Sequence, residues 1–214
     1  MVSSTSGRAE IHAELIAKAE KHIAEFDGYT VSDAKLPAGV TAKYTMDGTN
    51  RLTVSKYRAA GLTIDKVRAF YDNNIANASK LNPKNKMSKI DDSEGFPVYH
   101  TIAELPWPMS NRSTISVAYR TEHDGILTVV SSSRGTEDLA KKHAGAVGKN
   151  VLANLIIQFA RFIPVDGGMD IVTVICADPA GSIPDGMKTK QAGKHAVQSH
   201  TLANFMLTGA VPAE

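Results

Sequence analysis

Val151-Leu-Ala-Asn-Leu-Ile-Ile-Gln-Phe-Ala-Arg-Phe-Ile163 is the stretch on which the fold turns. Successive side chains of an extended strand point to opposite faces. On that alternation Leu155, Ile157 and Phe159 share one face, and Ile156 and Phe162 the other. A strand with large apolar side chains on both faces belongs inside a layered domain, because each face needs a cover. Helices can supply one cover. The other face looks onto either a filled core or an apolar ligand.

Around this stretch, which continues to Val165, lie further strand-like runs: Val98 to Leu105, Ser113 to Glu122, Ile126 to Ser132 and Ile171 to Ala177. The turns Asp124-Gly125 and Asp166-Gly167-Gly168 join neighbours in an antiparallel meander. Upstream, Val40 to Tyr44 and Leu52 to Ala60 flank Asp47-Gly48-Thr49-Asn50 and predict a hairpin. Ile11, Leu15, Ala19, Ile23 and Phe26 recur at helical spacing and predict an amphipathic helix from Arg8 to Phe26. Thr63 is placed to cap a short helix from Ile64 to Asn73. The polar stretch Asn74 to Lys89 reads as a weak helix followed by an exposed loop. Pro179, Gly181 and Pro184 stop the last strand, and a closing helix is predicted from Pro184 to Leu207. The expectation is one α+β domain spanning residues 1–214, with residues 1–7 flexible and a curved antiparallel sheet wrapped around the terminal helix. Such a sheet can leave a cavity on its concave face.

Composition narrows the function classes. The 214 residues are 43% hydrophobic and 21% charged, ordinary for a soluble domain with a real core. No apolar run approaches the roughly 20 residues that span a bilayer, and the first residues lack a signal-peptide pattern. A cytoplasmic protein is expected. A net charge of +2 is too weak a field for nucleic acid. The single cysteine, Cys176, permits no intrachain disulfide and no cysteine-based zinc site, and its apolar run predicts a buried thiol. His12-Ala-Glu14 lacks a second histidine four residues on, and His195 and His200, five apart, fall on different helix faces. No nucleophile elbow or glycine-rich phosphate turn is present, and Asp91, Asp92 and Glu104 do not pair on one element. No catalytic residue, metal or cofactor is therefore expected.

Two segments add a resemblance. Pro106-Trp-Pro-Met-Ser-Asn-Arg112 resembles the Pro-aromatic-Pro-Met-Ser-Asn-Arg-Asp segment of START domains, the steroidogenic-acute-regulatory-related lipid-transfer family. Asp178-Pro-Ala-Gly-Ser-Ile-Pro184 resembles the Asp-x-x-Gly-x-Ile-Pro turn before that family's last helix. In motifs the chain is most similar to single-domain members of the phosphatidylcholine-transfer type. The resemblance implies a helix-grip fold with an internal hydrophobic tunnel holding one lipid, the C-terminal helix acting as lid. Pro106, Pro108, Arg112, Gly181 and Pro184 would then be architectural.

The residues that the resemblance places at the lipid are Tyr99, Thr101 and Ala103, then Thr114, Ser116, Ala118 and Arg120 on the next strand. Leu155, Ile157 and Val174 follow on later strands, with Met187, Gln191, His195 and Leu202 on the lid. The positions of the choline cage are Thr101, Thr114 and Leu155, so its aromatics are missing, and Ala78 and Asn82 stand where charged headgroup contacts are expected. A buried zwitterion would lose its partners there. A sterol is therefore favoured over phospholipid, fatty acid or carotenoid. Glu104 and Arg120 are candidates for the acid and arginine pair of sterol-type members, whose arginine position holds Ala118. Lys188, Lys190 and Lys194, with Gly186 and Gly193, would make the lid mobile and able to touch an anionic membrane surface. Two other readings are an enzyme of cyclase or hydrolase type on the same fold, using His100 or His195, and an interaction module whose tunnel is filled.

Overall fold

The computed structural model describes residues 7–32, 34–181, 183 and 185–210, and of 185 and 187–193 the backbone alone. The chain opens with α1 (Arg8–Ala24), followed by β1 (Thr30–Val31), β2 (Thr41–Asp47) and β3 (Asn50–Ala60). Two short helices come next, α2 (Ile64–Asp72) and α3 (Asn74–Leu81). Strands β4 (Asn85–Ser93), β5 (Phe96–Ala103), β6 (Arg112–His123) and β7 (Ile126–Ser132) lead to α4 (Glu137–Lys142) and α5 (Ala144–Val147). The last elements are β8 (Val151–Leu152), β9 (Asn154–Val165), β10 (Gly168–Asp178) and α6 (Asp185–Thr208). Ten strands form one sheet in the order β1-β2-β3-β10-β9-β7-β6-β5-β4, with β8 added parallel to β6. This is the expected α+β helix-grip arrangement.

Local chemistry sets the boundaries. The Thr63 side chain accepts from the Lys66 N–H and caps α2. Asp47 pairs with Asn50, which leaves Gly48-Thr49 as the hairpin turn, with Gly48 at φ 62°. The expected exposed loop before Lys89 is instead the edge strand β4, paired with β5. None of its residues is fully buried, so no apolar alternation marks it in the sequence.

The two faces of the sheet differ. On one, Ile11, Leu15 and Ala19 of α1 pack on Val98, Val117, Tyr119, Phe159 and Val174, all buried. On the other, Leu127, Phe162 and Ile171 meet Val67 and Phe70 of α2 and Ala203, Phe205 and Met206 of α6. The strand that decides the fold is bulged. Ile157 pairs with Cys176 but Leu155 pairs with Ala177, so Ile156 has no partner and the alternation shifts by one. The expected set of Leu155, Ile157 and Phe159 is thereby split. Ile157 and Phe159 belong to the α1 face, and Leu155 joins Gln158 and Ala160 on the α6 face.

Candidate functional site: a cavity under the last helix

On the α6 face the packing stops part-way along the strands. Beyond Leu127, Phe162 and Ile171 the sheet presents the short side chains of Ala118, Ser131 and Ala160, and the packing gives way to open space. The result is a cavity of about 1570 Å³, floored by β5, β6, β7 and β9 and roofed by α2, α3 and α6. Met46, more than half exposed, lies at its rim with Pro106 and Met109 of the loop between β5 and β6.

The structure brings together most of the residues singled out from the sequence. Tyr99, Thr101 and Ala103 line the cavity from β5, and Thr114, Ser116, Ala118 and Arg120 from β6. Leu155 lines it from β9, and His195 and Leu202 from α6. Ile157 and Val174 do not. Both are wholly buried beneath α1, because the bulge turns Ile157 over and Val174 follows it as a neighbour of Phe159 on that face. The Met187 and Gln191 side chains lie outside the described residues, as do those of Lys188 and Lys190, Gly193 beyond its backbone, and Pro184. Residues 1–6 lie outside them too.

Glu104 and Arg120 do not meet. Arg120 bonds Asp72 at 2.7 Å, and Glu104 pairs with Lys86 at 2.9 Å among exposed side chains. Arg112, by contrast, ties the two sequence motifs together. Its Nε donates to the Pro179 carbonyl at 2.6 Å and its Nη2 to the Ala180 carbonyl at 3.2 Å, while Nη1 reaches Ser110. Gly181, at φ 63°, follows directly, and a side chain there would be strained. These residues shape the approach to α6, as expected for architecture.

The charges that line the cavity from the sheet are engaged. Arg51 stacks on the Tyr44 ring, Arg112 and Arg120 have the partners given above, and the Asp178 carboxylate accepts the Ala180 N–H at 2.9 Å. Burial pushes the His195 imidazole down to about 4, so the ring is neutral near pH 7. Its Nδ1 is sealed from solvent and has no hydrogen-bond partner among the described residues. His100 faces away from the cavity and shares the Ser113 hydroxyl with Asn150. Among the described residues no group of three His, Cys, Asp or Glu is placed to hold a metal ion.

Sequence reading missed Val129 and Ser131 of β7, Gln158 and Ala160 of β9, and the contribution of α2 and α3 through Phe70, Tyr71 and Leu81, whereas Ala78, singled out there, does line the cavity. Pairing could have found Ser131, because it sits opposite Ala118 in the meander. Gln158 was hidden by the bulge.

No family model and no curated protein matches the chain. Solved structures do match. Human StAR-related lipid transfer protein 5 superposes with a TM-score of 0.74 at 12% identity, covering 94% of this chain and 96% of that one. Human STARD10 gives 0.71 at 14% identity over 95% and 80%. A fragment of a STAR-related lipid transfer protein from Xanthomonas axonopodis gives 0.65 at 19% identity over 84% and 99%. The chain has the helix-grip fold of START domains.

Proposed function

We propose that the chain binds one hydrophobic lipid in this cavity, a sterol in preference to a phospholipid, and carries it between membranes or presents it in the cytoplasm. The observation that carries the reading is the unfilled space itself. At about 1570 Å³ it exceeds the roughly 300–1,000 Å³ of ordinary small-molecule sites. The fold it shares with proteins described as lipid transfer proteins supports the same reading. Thr101, Thr114 and Leu155, at the positions the resemblance gives to the choline cage, line the space without aromatic rings, which favours a ligand with little headgroup.

The activity is carriage without a chemical step. A ligand of about 25 carbons gains on the order of 20 kcal/mol on leaving water. A bilayer offers nearly the same gain, so loading and unloading are close to balanced and are governed by access. Access fits α6. Its C-terminal half is pinned by Tyr57, whose hydroxyl donates to the Ser199 carbonyl at 2.8 Å, and by Lys66, which reaches the Leu207 carbonyl at 2.8 Å. The opening would then lie toward Lys194, which is exposed and lines the cavity. Trp107, 92% exposed beside the rim, is suited to meet a membrane surface there. No helix among the described residues is long and apolar enough to cross a membrane. Native mass spectrometry after incubation with sterol-containing vesicles, followed by extraction, tests the reading. One sterol per chain is expected. A cavity left empty by sterol, fatty acid, carotenoid and phospholipid alike would overturn it.

A further inference from the structure

Resting on the reading above, one level of the cavity limits what the lipid can be. Gln158 stands on a central strand, where side chains are normally covered, yet it is exposed because it projects into the hollow. Its register partner on β7 is Ser131, which also lines the cavity. On the next level toward the closed end the partners are Ala160 and Val129, with Leu202 and Phe70 above them. A polar rung therefore lies one step back from an apolar floor.

The lid supplies the same rung from the opposite wall. The Ser199 hydroxyl sits over Thr173 at 3.4 Å, and Thr173 pairs with Ala160. One helical turn back from Ser199, about 6 Å along the axis, is His195. Two residues along β10 from Thr173, about 6.6 Å, is Ile175, which pairs with Gln158. His195 and Gln158 thus come to one level of the same cavity. With Nδ1 sealed and unpartnered, the tautomer that places the proton on Nε2 avoids burying an unsatisfied N–H. Nε2–H is then the ring's one donor.

We propose that the lipid carried here is an oxygenated hydrophobe whose hydroxyl or carbonyl oxygen lies between His195 and Gln158, set back by one rung from an apolar end that rests on Ala160, Val129 and Leu202. The oxygen accepts from the imidazole Nε2–H and bonds the Gln158 amide. A ligand with no oxygen at that level leaves both side chains without partners in a confined space.

The test uses the full chain and matched probes that differ by one oxygen: 5α-cholestane against 5α-cholestan-3β-ol, and stearate against 12-hydroxystearate. Each is delivered from cyclodextrin and quantified on the protein after separation. In at least one pair the oxygenated member should bind roughly 5- to 20-fold more tightly. His195→Phe and Gln158→Leu should each remove most of that preference. His195→Gln, which keeps an N–H donor near the same place, should restore part of it. Equal binding within both pairs by the unaltered chain would overturn the inference and leave the carrier reading intact, whatever the variants do. Equal weakening of both members of a pair by His195→Phe and Gln158→Leu would also overturn it. Retention of no probe at all would remove the carrier reading and this inference together.

Discussion

The two faces of the one sheet are built from the same strands and end up as opposite kinds of material. Beneath α1, Ile115, Val117, Ile157, Phe159 and Val174 are shut away from solvent, and Ile11, Leu15 and Ala19 close over them. Beneath α6 the alternate residues of those strands are Ser116, Ala118, Gln158 and Ala160, and the space above them is open. A sheet grips a helix without filling the gap when one alternation is large and the other small. The difference is side-chain volume, and it is testable by exchanging volume between the faces.

The largest effect is expected where volume is removed from the filled face. Phe159→Ala should cost about 3–5 kcal/mol through lost burial and an unrelieved cavity. In a domain of this size that lowers Tm by roughly 10 °C. Leu155→Ala, on the same strand but on the hollow side of the bulge, should cost less than about 1 kcal/mol, because the space it vacates joins one that is already empty. Calorimetry on the two variants decides the matter, and similar losses would show the two faces to be packed alike.

Adding volume to the open face should act in the opposite sense. Ala160→Phe extends the apolar floor near Phe70 and Leu202. Thermal stability should hold or rise slightly, while sterol retention falls about 100-fold, equivalent to about 2.7 kcal/mol. A variant that binds sterol as before would place the ligand elsewhere.

Acid should expose a smaller asymmetry. The His195 imidazole is held at about 4 by burial, below its ordinary value of 6.5. Between those values the unfolded chain takes up a proton that the folded chain refuses, so stability rises with pH across that window and falls as pH drops from 6.5 toward 4. Allowing for the cavity beside the ring, this group contributes about 2 kcal/mol of acid destabilisation. His195→Phe should lessen the slope of that part of the stability profile, to which His12, His22, His100 and His200, also held down by burial, contribute, and leave the profile above pH 7 unchanged. Denaturant unfolding at several pH values measures it.

How much of this was legible in the sequence follows from what each residue's neighbours are. The capped helix at Thr63, the Gly48-Thr49 turn and the two motifs that Arg112 joins are local, and local chemistry reports them. The resemblance set Tyr99, Thr101, Thr114 and Ser116 at the lipid, and in the structure all four line the cavity. The bulge at Ile156 is not local. It exists because β9 must pair with β10 on one side and β7 on the other, and a single-strand reading assigns Ile157 to the wrong face. Strand β4 escaped for the converse reason. As an edge strand with polar residues on both alternations it has no apolar period, and its pairing with β5 defines it. The roof residues Phe70 and Leu81 also depend on tertiary placement, since nothing in the apolar pattern of α2 and α3 says that they stand over β9.

The smallest expected effect concerns the rim, where the hollow face meets solvent. Trp107 is almost fully exposed on the loop whose Pro106 and Met109 line the cavity, whereas the filled face has no comparable exposed ring among the described residues. An indole in that position gains by entering a lipid interface and contributes nothing to a ligand already enclosed. Trp107→Ala should therefore slow sterol transfer between vesicles by a few-fold, in line with the loss of one interfacial anchor of about 1 kcal/mol. Equilibrium binding from cyclodextrin should not change. Adding Lys194→Glu should slow transfer further from vesicles rich in anionic lipid and leave neutral vesicles unaffected, because the lysine acts through surface charge. If Trp107→Ala weakened binding in solution as much as it slowed transfer, the loop would be part of the cavity wall and the membrane would be met elsewhere.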